Sequence, residues 1–549
     1  MAHVNIYSLG GLDENGKNCY ALEVNDEIFV VNFGAKVPIN SVNGVDTLIP
    51  NFDYLEKNKN KVKGIFITDI KNESFSGLPW LLMKLPNATI YSSPFNKLLI
   101  LDRLSKYRLN HTKYKNEVLV KETKVGNISV KPINVAGSLP GCIGLDFITP
   151  DGDVIFMFNF VKADLGIYGR TDYDEIKREL KDRKVLALVA DSGHSNYAGY
   201  SKNKIVLPNS IKQAFVKTPK NKRIIVGAYD EEMYALQQIL DLAKAQNRPV
   251  VTYGKTYAQT LFLIKKIKGE KELPQIIEYK DLKKYPNAVI LVTGSVERLY
   301  SRFLRIAGGN DVLLDLRKTD AVLMIAPPVN GLESTAALCL DDIARNTPHV
   351  HEVTGSEYYS HRPAREDLLE LVEKLQPENF IPVQGLYRYL VDINNAILAK
   401  KDNKTNPILL SQNGKIAHFV DGKLFSVNGK IKNVGDLIID GFGVGDISSE
   451  VINEREMLGR DGLIVVSLMF NTKTKEISPD FHINYVGIID RDDRPEMNKI
   501  ISQTIVTIIE EESFERLKDL QERLRRSIRK KVYKNCDKEP MIAITFNTL

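Results

Sequence analysis

Residues 64–82 read GIFITDIKNESFSGLPWLL. Residues 64–68 are a short apolar run ending on the hydroxyl of Thr68, and residues 77–82 restart as an apolar turn of helix. Between them stand Asp69, Lys71, Asn72, Glu73 and Ser74. Polar side chains bunched at the carboxyl end of a buried strand occupy the place where α/β folds keep their chemistry. The stretch therefore predicts a strand–loop–helix unit with a candidate site in the loop. Its layout is that of a metal loop, yet it contains no histidine.

Strand signals surround this unit. HVNIYSL, CYALEV and EIFVVNFG come before it, and ATIYSS, VKPINVAG, GLDFITP and DVIFMFNF come after it. Many strands with few helices predict a sheet-rich sandwich with covering helices. From Lys184 the strands become continuous apolar runs, KVLALVADS, RIIVGAY, PVVTYG, AVILVTGS and AVLMIAPP, several of them separated by helical stripes such as Met233, Leu236, Leu240 and Ala243. That is the pattern of a parallel α/β sheet, an inserted or second domain. A helix, REDLLELVEKL, and a strand, NFIPVQG, follow. The turn pairs Asn413-Gly414, Asp421-Gly422 and Asn428-Gly429 then predict a small β connector. The last hundred or so residues read as a further α/β unit.

At 549 residues, 43% hydrophobic and 26% charged, the chain has the composition of a globular protein of about three domains. No apolar run approaches the ~18 residues that cross a bilayer, and the N-terminus has no signal-peptide layout, so a cytoplasmic protein without membrane contact is expected. The four cysteines are far apart and form no CxxC, which argues against zinc ribbons and redox pairs. A net charge of +6 permits a polyanionic partner without demanding one.

Several stretches in a fixed order carry a resemblance: YSLGGLDENGKNCYALEVNDEIFVVNFG, GVDTLIPNFDYLEKNKNKVKGIFIT, GLPWLL, LVADS, LVTGS, FIPVQGLYRYL and IDGFGVGDI. Together they resemble the bacterial ribonuclease J family, nucleases of the metallo-β-lactamase fold with a β-CASP insertion. The resemblance implies an αββα sandwich in two parts (1–204 and 348–420), an inserted β-CASP domain (205–347), the β connector (421–445) and a C-terminal oligomerisation domain (446–549).

Active members of that family hold two metal ions, usually zinc, on a His-x-His-x-Asp-His loop and three further ligands. The positions that match here are Asp69, Lys71, Glu73 and Ser74 in the loop, then Gly137, Asn159 and Gln384. No ligand histidine remains, and Lys71 would repel a divalent cation at short range. Zinc is therefore not expected, and Mg²⁺ on Asp69 and Glu73 is the remaining alternative. Lys71 is expected to pair with Asp69, Glu73 or both. The phosphate-binding turn of the family matches Asp230, Glu231 and Glu232, followed by Tyr234, and three carboxylates there would repel a phosphate. The family's Ser-Gly-His-x-Ser matches Ser360, His361, Arg362, Pro363 and Ala364. Arg362 retains the capacity to bind a phosphate but not to donate a proton at neutral pH. Asp191 is read as capping the turn after its strand.

The basic helix near the C-terminus offers Arg523, Arg526 and Lys530 as RNA contacts, weighed evenly against a solvated face. The apolar strand GLIVVSLMF and the stripe through Ile500, Ile501, Ile505 and Ile508 are expected to exceed what the last domain buries alone, leaving a surface for a second chain. The implied function is a catalytically impaired ribonuclease J-type subunit in messenger RNA turnover and ribosomal RNA maturation. It would form a homo- or hetero-dimer or tetramer, with an active paralogue as partner and RNA as ligand. The alternatives are an active metal-dependent 5′–3′ exo- and endoribonuclease with atypical ligands, and a stand-alone RNA- or ribosome-binding protein.

Overall fold

The computed structural model describes all residues except 1, 38–46, 108, 110–113, 202–204, 254–256, 259–260, 263, 266–272, 297, 330, 359–361, 441–442, 445–448, 472–473, 475, 512–515 and 549. The chain forms two compact units, one of residues 1–39 and 47–437, the other of residues 40–46 and 438–549.

Among the described residues the larger unit holds three sheets of five to eight strands. In the first, of eight strands, Val62–Ile67 runs parallel between Glu27–Val31 and Thr89–Ser92. The second has seven strands. Its centre is the parallel set Gly152–Met157, Val185–Asp191 and Asn379–Val383. The inner faces of these two sheets share one apolar core, where Phe66 lies 5.1 Å and Phe29 5.8 Å from the Phe147 ring. Each such buried ring contributes roughly 1.5–3 kcal/mol. The third sheet is wholly parallel, ordered Val250–Tyr253, Val289–Gly294, Ile224–Tyr229, Ala321–Met324 and Val350–Glu352. The expected stripe of Met233, Leu236, Leu240 and Ala243 is the buried face of the helix Met233–Ala245.

Two boundaries differ from the sequence reading. The strand Val350–Glu352 belongs to the parallel sheet, which therefore runs past residue 347. The connector is not a separate element up to residue 430. Lys415–Val420 pairs with the first strand, His3–Gly10, and Lys423–Lys430 pairs with Lys415–Val420, so both extend the eight-stranded sheet. Asp421-Gly422 is the turn between them, with φ +46° and +72°, as a two-residue hairpin with right-handed strand twist requires. Asn428-Gly429, by contrast, lies inside a strand.

In the smaller unit, Leu463–Phe470 is flanked by Ile477–Val486 (antiparallel) and Met541–Thr548 (parallel). The helices Arg494–Glu511 and Leu517–Cys536 supply the rest of its core. Ile464, Val466, Leu468, Ile501, Ile505 and Ile508 are all buried in this unit itself. Most of the pattern thus packs in the domain's own core, while Ile500 and the alternate strand residues Leu463, Val465 and Met469 are half-buried. A stripe of this period is written the same way whether it faces a core or a partner. No helix among the described residues is long and apolar enough to cross a membrane.

Candidate functional site

The strand Val62–Ile67 delivers Thr68 and Asp69 at its carboxyl end, and three neighbouring parallel strands of the second sheet deliver Asn159, Asp191 and Gln384 at theirs. Asn159 and Gln384 both have left-handed backbones, φ +49° and +63°, an uncommon conformation for residues other than glycine. Asp69 is buried and accepts hydrogen bonds from the Lys71 backbone N–H (2.9 Å), Asn159 Nδ2 (3.1 Å) and the Thr68 hydroxyl (3.0 Å). Burial pushes its carboxyl above the usual range, and the bonds from Lys71 and Asn159 oppose that shift.

Arg362 fills the middle. One guanidinium nitrogen donates to Asp191 Oδ1 (3.1 Å) and Gln384 Oε1 (2.8 Å), and the other donates to Glu73. Asp191 also accepts from the backbone N–H groups of Gly193 (2.9 Å) and Asn159 (3.2 Å). It thus caps the turn as expected and anchors the arginine as well. Arg362 stays charged: burial disfavours the cation, but Asp191 and Glu73 raise its pKa well above normal. Its fork is held by three acceptors, Asp191, Gln384 and Glu73.

Lys71 does not take the expected partner. Its ammonium lies 3.4 Å from Glu232 Oε1, both side chains being buried, and only its backbone N–H bonds Asp69. The reason is competition: Arg362 holds Glu73, while Thr68 and Asn159 share Asp69. Burial opposes the ammonium, and Glu232, followed by Glu73, raises its pKa. Glu231 likewise turns to this loop and accepts the Asn72 backbone N–H at 2.7 Å. Burial, then Asp230, pushes the Glu231 carboxyl well up. The acidic turn that matched the phosphate-binding position therefore clasps the loop 71–72. Sequence alone gave no sign of this, because the partners lie 161 residues apart.

The other positions are structural. A Cβ on Gly137 would lie 2.8 Å from both the Asn159 carbonyl oxygen and Cys142 Sγ. Ser74 is buried, and its backbone N–H donates to the Lys71 carbonyl. Tyr234 packs edge-on against Tyr168 at 5.4 Å. The Ala364 backbone N–H donates to Asp367 Oδ2 at 2.9 Å, at the start of the helix Arg365–Leu375. Ser360 and His361 lie outside the described residues. In the smaller unit, Arg523, Arg526 and Lys530 are exposed on the helix Leu517–Cys536. Three residues beyond Asp191, His194 is half-buried. Burial, then Arg362 and Lys71, lowers its pKa to about 3. A histidine so weakly basic does not take a proton from water at neutral pH.

Comparison with known proteins bears on the identity of this arrangement. Residues 221–343 match the family described as Ribonuclease J, beta-CASP domain, and residues 450–548 match the Ribonuclease J C-terminal domain. Residues 350–407 match the Zn-dependent metallo-hydrolase RNA specificity domain. The chain belongs to the ribonuclease J family. It is 27% identical to Ribonuclease J2 of Bacillus subtilis over 98% of both chains. It is also 27% identical to an uncharacterized protein of Mycoplasma genitalium, over 99% of this chain and 96% of that one. A crystal structure of a protein of unknown function from Enterococcus faecalis V583 superposes with a TM-score of 0.51. It has 15% identity and covers 76% of this chain and 100% of that one, a likeness of fold alone.

Ribonuclease J chains of the active kind are expected to hold two metal ions at this place, and the donor set here does not fit them. An ammonium and a guanidinium sit among the carboxylates, Asn159 and Gln384 offer amides, and Gly137 offers no side chain. Among the described residues no group of three or more His, Cys, Asp or Glu is placed to hold a metal ion. Ion pairs and hydrogen bonds tie the loop 69–73 to Asn159, Glu231, Glu232 and Arg362. Lys71→Met removes the ammonium beside the buried Glu232 carboxylate and is expected to lower the unfolding free energy by about 3 kcal/mol. Lys71→Met with Glu232→Gln should recover most of that loss. Urea titration followed by the fluorescence of Trp80, buried in the same unit, measures both.

Proposed function

We propose that this chain is a non-catalytic ribonuclease J-type subunit, cytoplasmic, working beside an active chain of the same family in RNA degradation and ribosomal RNA maturation. The observation that carries the reading is the engagement of Arg362 with Glu73, Asp191 and Gln384. A guanidinium bound there supplies in protein form the positive charge that a metal would bring, and it generates no nucleophilic water. The match of residues 450–548 to the family's C-terminal domain supports a retained non-catalytic role. Elemental analysis of the purified chain is expected to give less than about a tenth of a zinc ion per molecule, with no phosphodiester cleavage. One or two zinc ions per chain, with cleavage of RNA, overturns the reading. Co-expression with an active ribonuclease J-type chain is expected to yield a stable complex, and separate elution of the two chains removes the subunit role.

The clasped acidic turn leads to a further expected result. The isolated chain should bind 5′-monophosphorylated and 5′-hydroxyl RNA with affinities within about twofold, because Glu231 and Glu232 occupy the matching position. Equilibrium binding to paired oligonucleotides measures it.

A further inference from the structure

The helix Leu517–Cys536 buries Leu520, Leu524, Ile528 and Val532 on one side and carries most of its charge on the other. Beside it lies a cleft of about 460 Å³ lined by Arg525, Arg526, Arg529, Lys530 and Tyr533, and also by Glu522 and Glu539. Four cations face two carboxylates, and Glu522 is taken by Arg525 Nη1 at 2.8 Å. Among the described residues, the Nε atoms of Arg525 and Arg529 are buried with no hydrogen-bond acceptor. A solvated charged face lets water satisfy its donors, whereas here two guanidinium N–H groups next to a cleft have no acceptor. Arg525 and Arg529, like Arg526 and Lys530, are four residues apart, so each pair is separated by about 6 Å along the helix. Tyr533, 49% exposed, closes the row.

We infer that this cleft binds single-stranded RNA, its phosphodiester backbone along Arg525, Arg526, Arg529 and Lys530 and a base stacked on Tyr533. Acidic protein would find the four cations but gain nothing from the ring, whereas cationic rows beside an aromatic platform suit a single strand. The inference rests on the RNA-handling role proposed above and assigns an RNA site to the smaller unit, whereas the matched metal positions belong to the larger one.

The test uses the full chain and a 5′-hydroxyl oligouridylate of twelve nucleotides, with fluorescence anisotropy at several salt concentrations. Arg526→Gln with Lys530→Gln is expected to weaken binding at least tenfold. It should also reduce the slope of log affinity against log salt by about 0.7 for each phosphate left without its cation. Tyr533→Leu is expected to cost at least about fivefold with the slope unchanged. Lys518→Gln with Lys534→Gln, equal in charge on the same helix but outside the cleft, is the control and should cost less than twofold. Equal losses in the cleft and control variants overturn the cleft and leave the subunit reading standing. Full displacement of the RNA by inorganic phosphate at matched ionic strength identifies a small-anion site and overturns the RNA assignment. Failure of the unsubstituted chain to bind the oligonucleotide overturns the cleft, while its zinc content and complex formation still decide the subunit role separately.

Discussion

Arg362→Met is expected to lower the unfolding free energy of the larger unit by about 3–5 kcal/mol, the usual penalty for stranding buried charges. The substitution keeps most of the side-chain volume, so little of the loss comes from a cavity. What it removes is the one group that neutralises Glu73 and Asp191 together. Asp191 is fully buried and, among the described residues, keeps the backbone N–H groups of Gly193 and Asn159. Urea titration read through Trp80 measures the change. Adding Glu73→Gln and Asp191→Asn to Arg362→Met should restore more than half of it, because amides tolerate burial where carboxylates do not. A loss below about 1 kcal/mol for Arg362→Met would mean that water reaches the network and screens it, as for an exposed pair.

The second large effect is a dependence on pH. An unfolded histidine titrates near 6.5, while His194 in the folded chain titrates at about 3. Between those values the unfolded state binds a proton that the folded state refuses, so stability falls as the pH drops. The slope is about 1.4 kcal/mol per pH unit, and the full window of His194 amounts to several kcal/mol. Above pH 6.5 the group contributes nothing. His194→Gln, neutral at every pH, is expected to remove this part of the acid sensitivity. The difference between the two proteins, measured by urea titration at pH 7, 6, 5 and 4, should grow steadily as the pH falls. Parallel curves would show that His194 takes a proton in the folded chain. The groups bearing on it are Arg362 and Lys71, which oppose its charging, and Glu232, which favours it.

The sheet layout was legible because strands are marked locally. The run ending at Thr68 and the left-handed turn at Asp421-Gly422 both fall where the pattern puts them. The pairing of the loop was not legible. Lys71 had two carboxylates within two residues, and a sequence reading favours near neighbours. The structure gives it a third, Glu232, because Arg362 comes from 289 residues away to claim Glu73. Which carboxylate a cation takes depends on the competing cations, and these meet only after three segments have folded together. For the stripe through Ile500, Ile501, Ile505 and Ile508 the reason is another: the pattern of a helix face does not say what will cover it, and three of the four lie in the domain's own core.

The ion network ties segments near residues 72, 191, 231 and 362, which come from all three sheets of the larger unit. Contacts of such sequence separation carry a high loop-closure cost and form late, after the sheets have condensed. Interactions absent from the folding transition state act almost wholly on the rate of leaving the native state. The Lys71 and Arg362 substitutions are therefore expected to leave the refolding limb of a chevron nearly unchanged and to speed escape from the native basin. The kinetic persistence of the larger unit is thus expected to come from its own side chains and to be insensitive to a chelator.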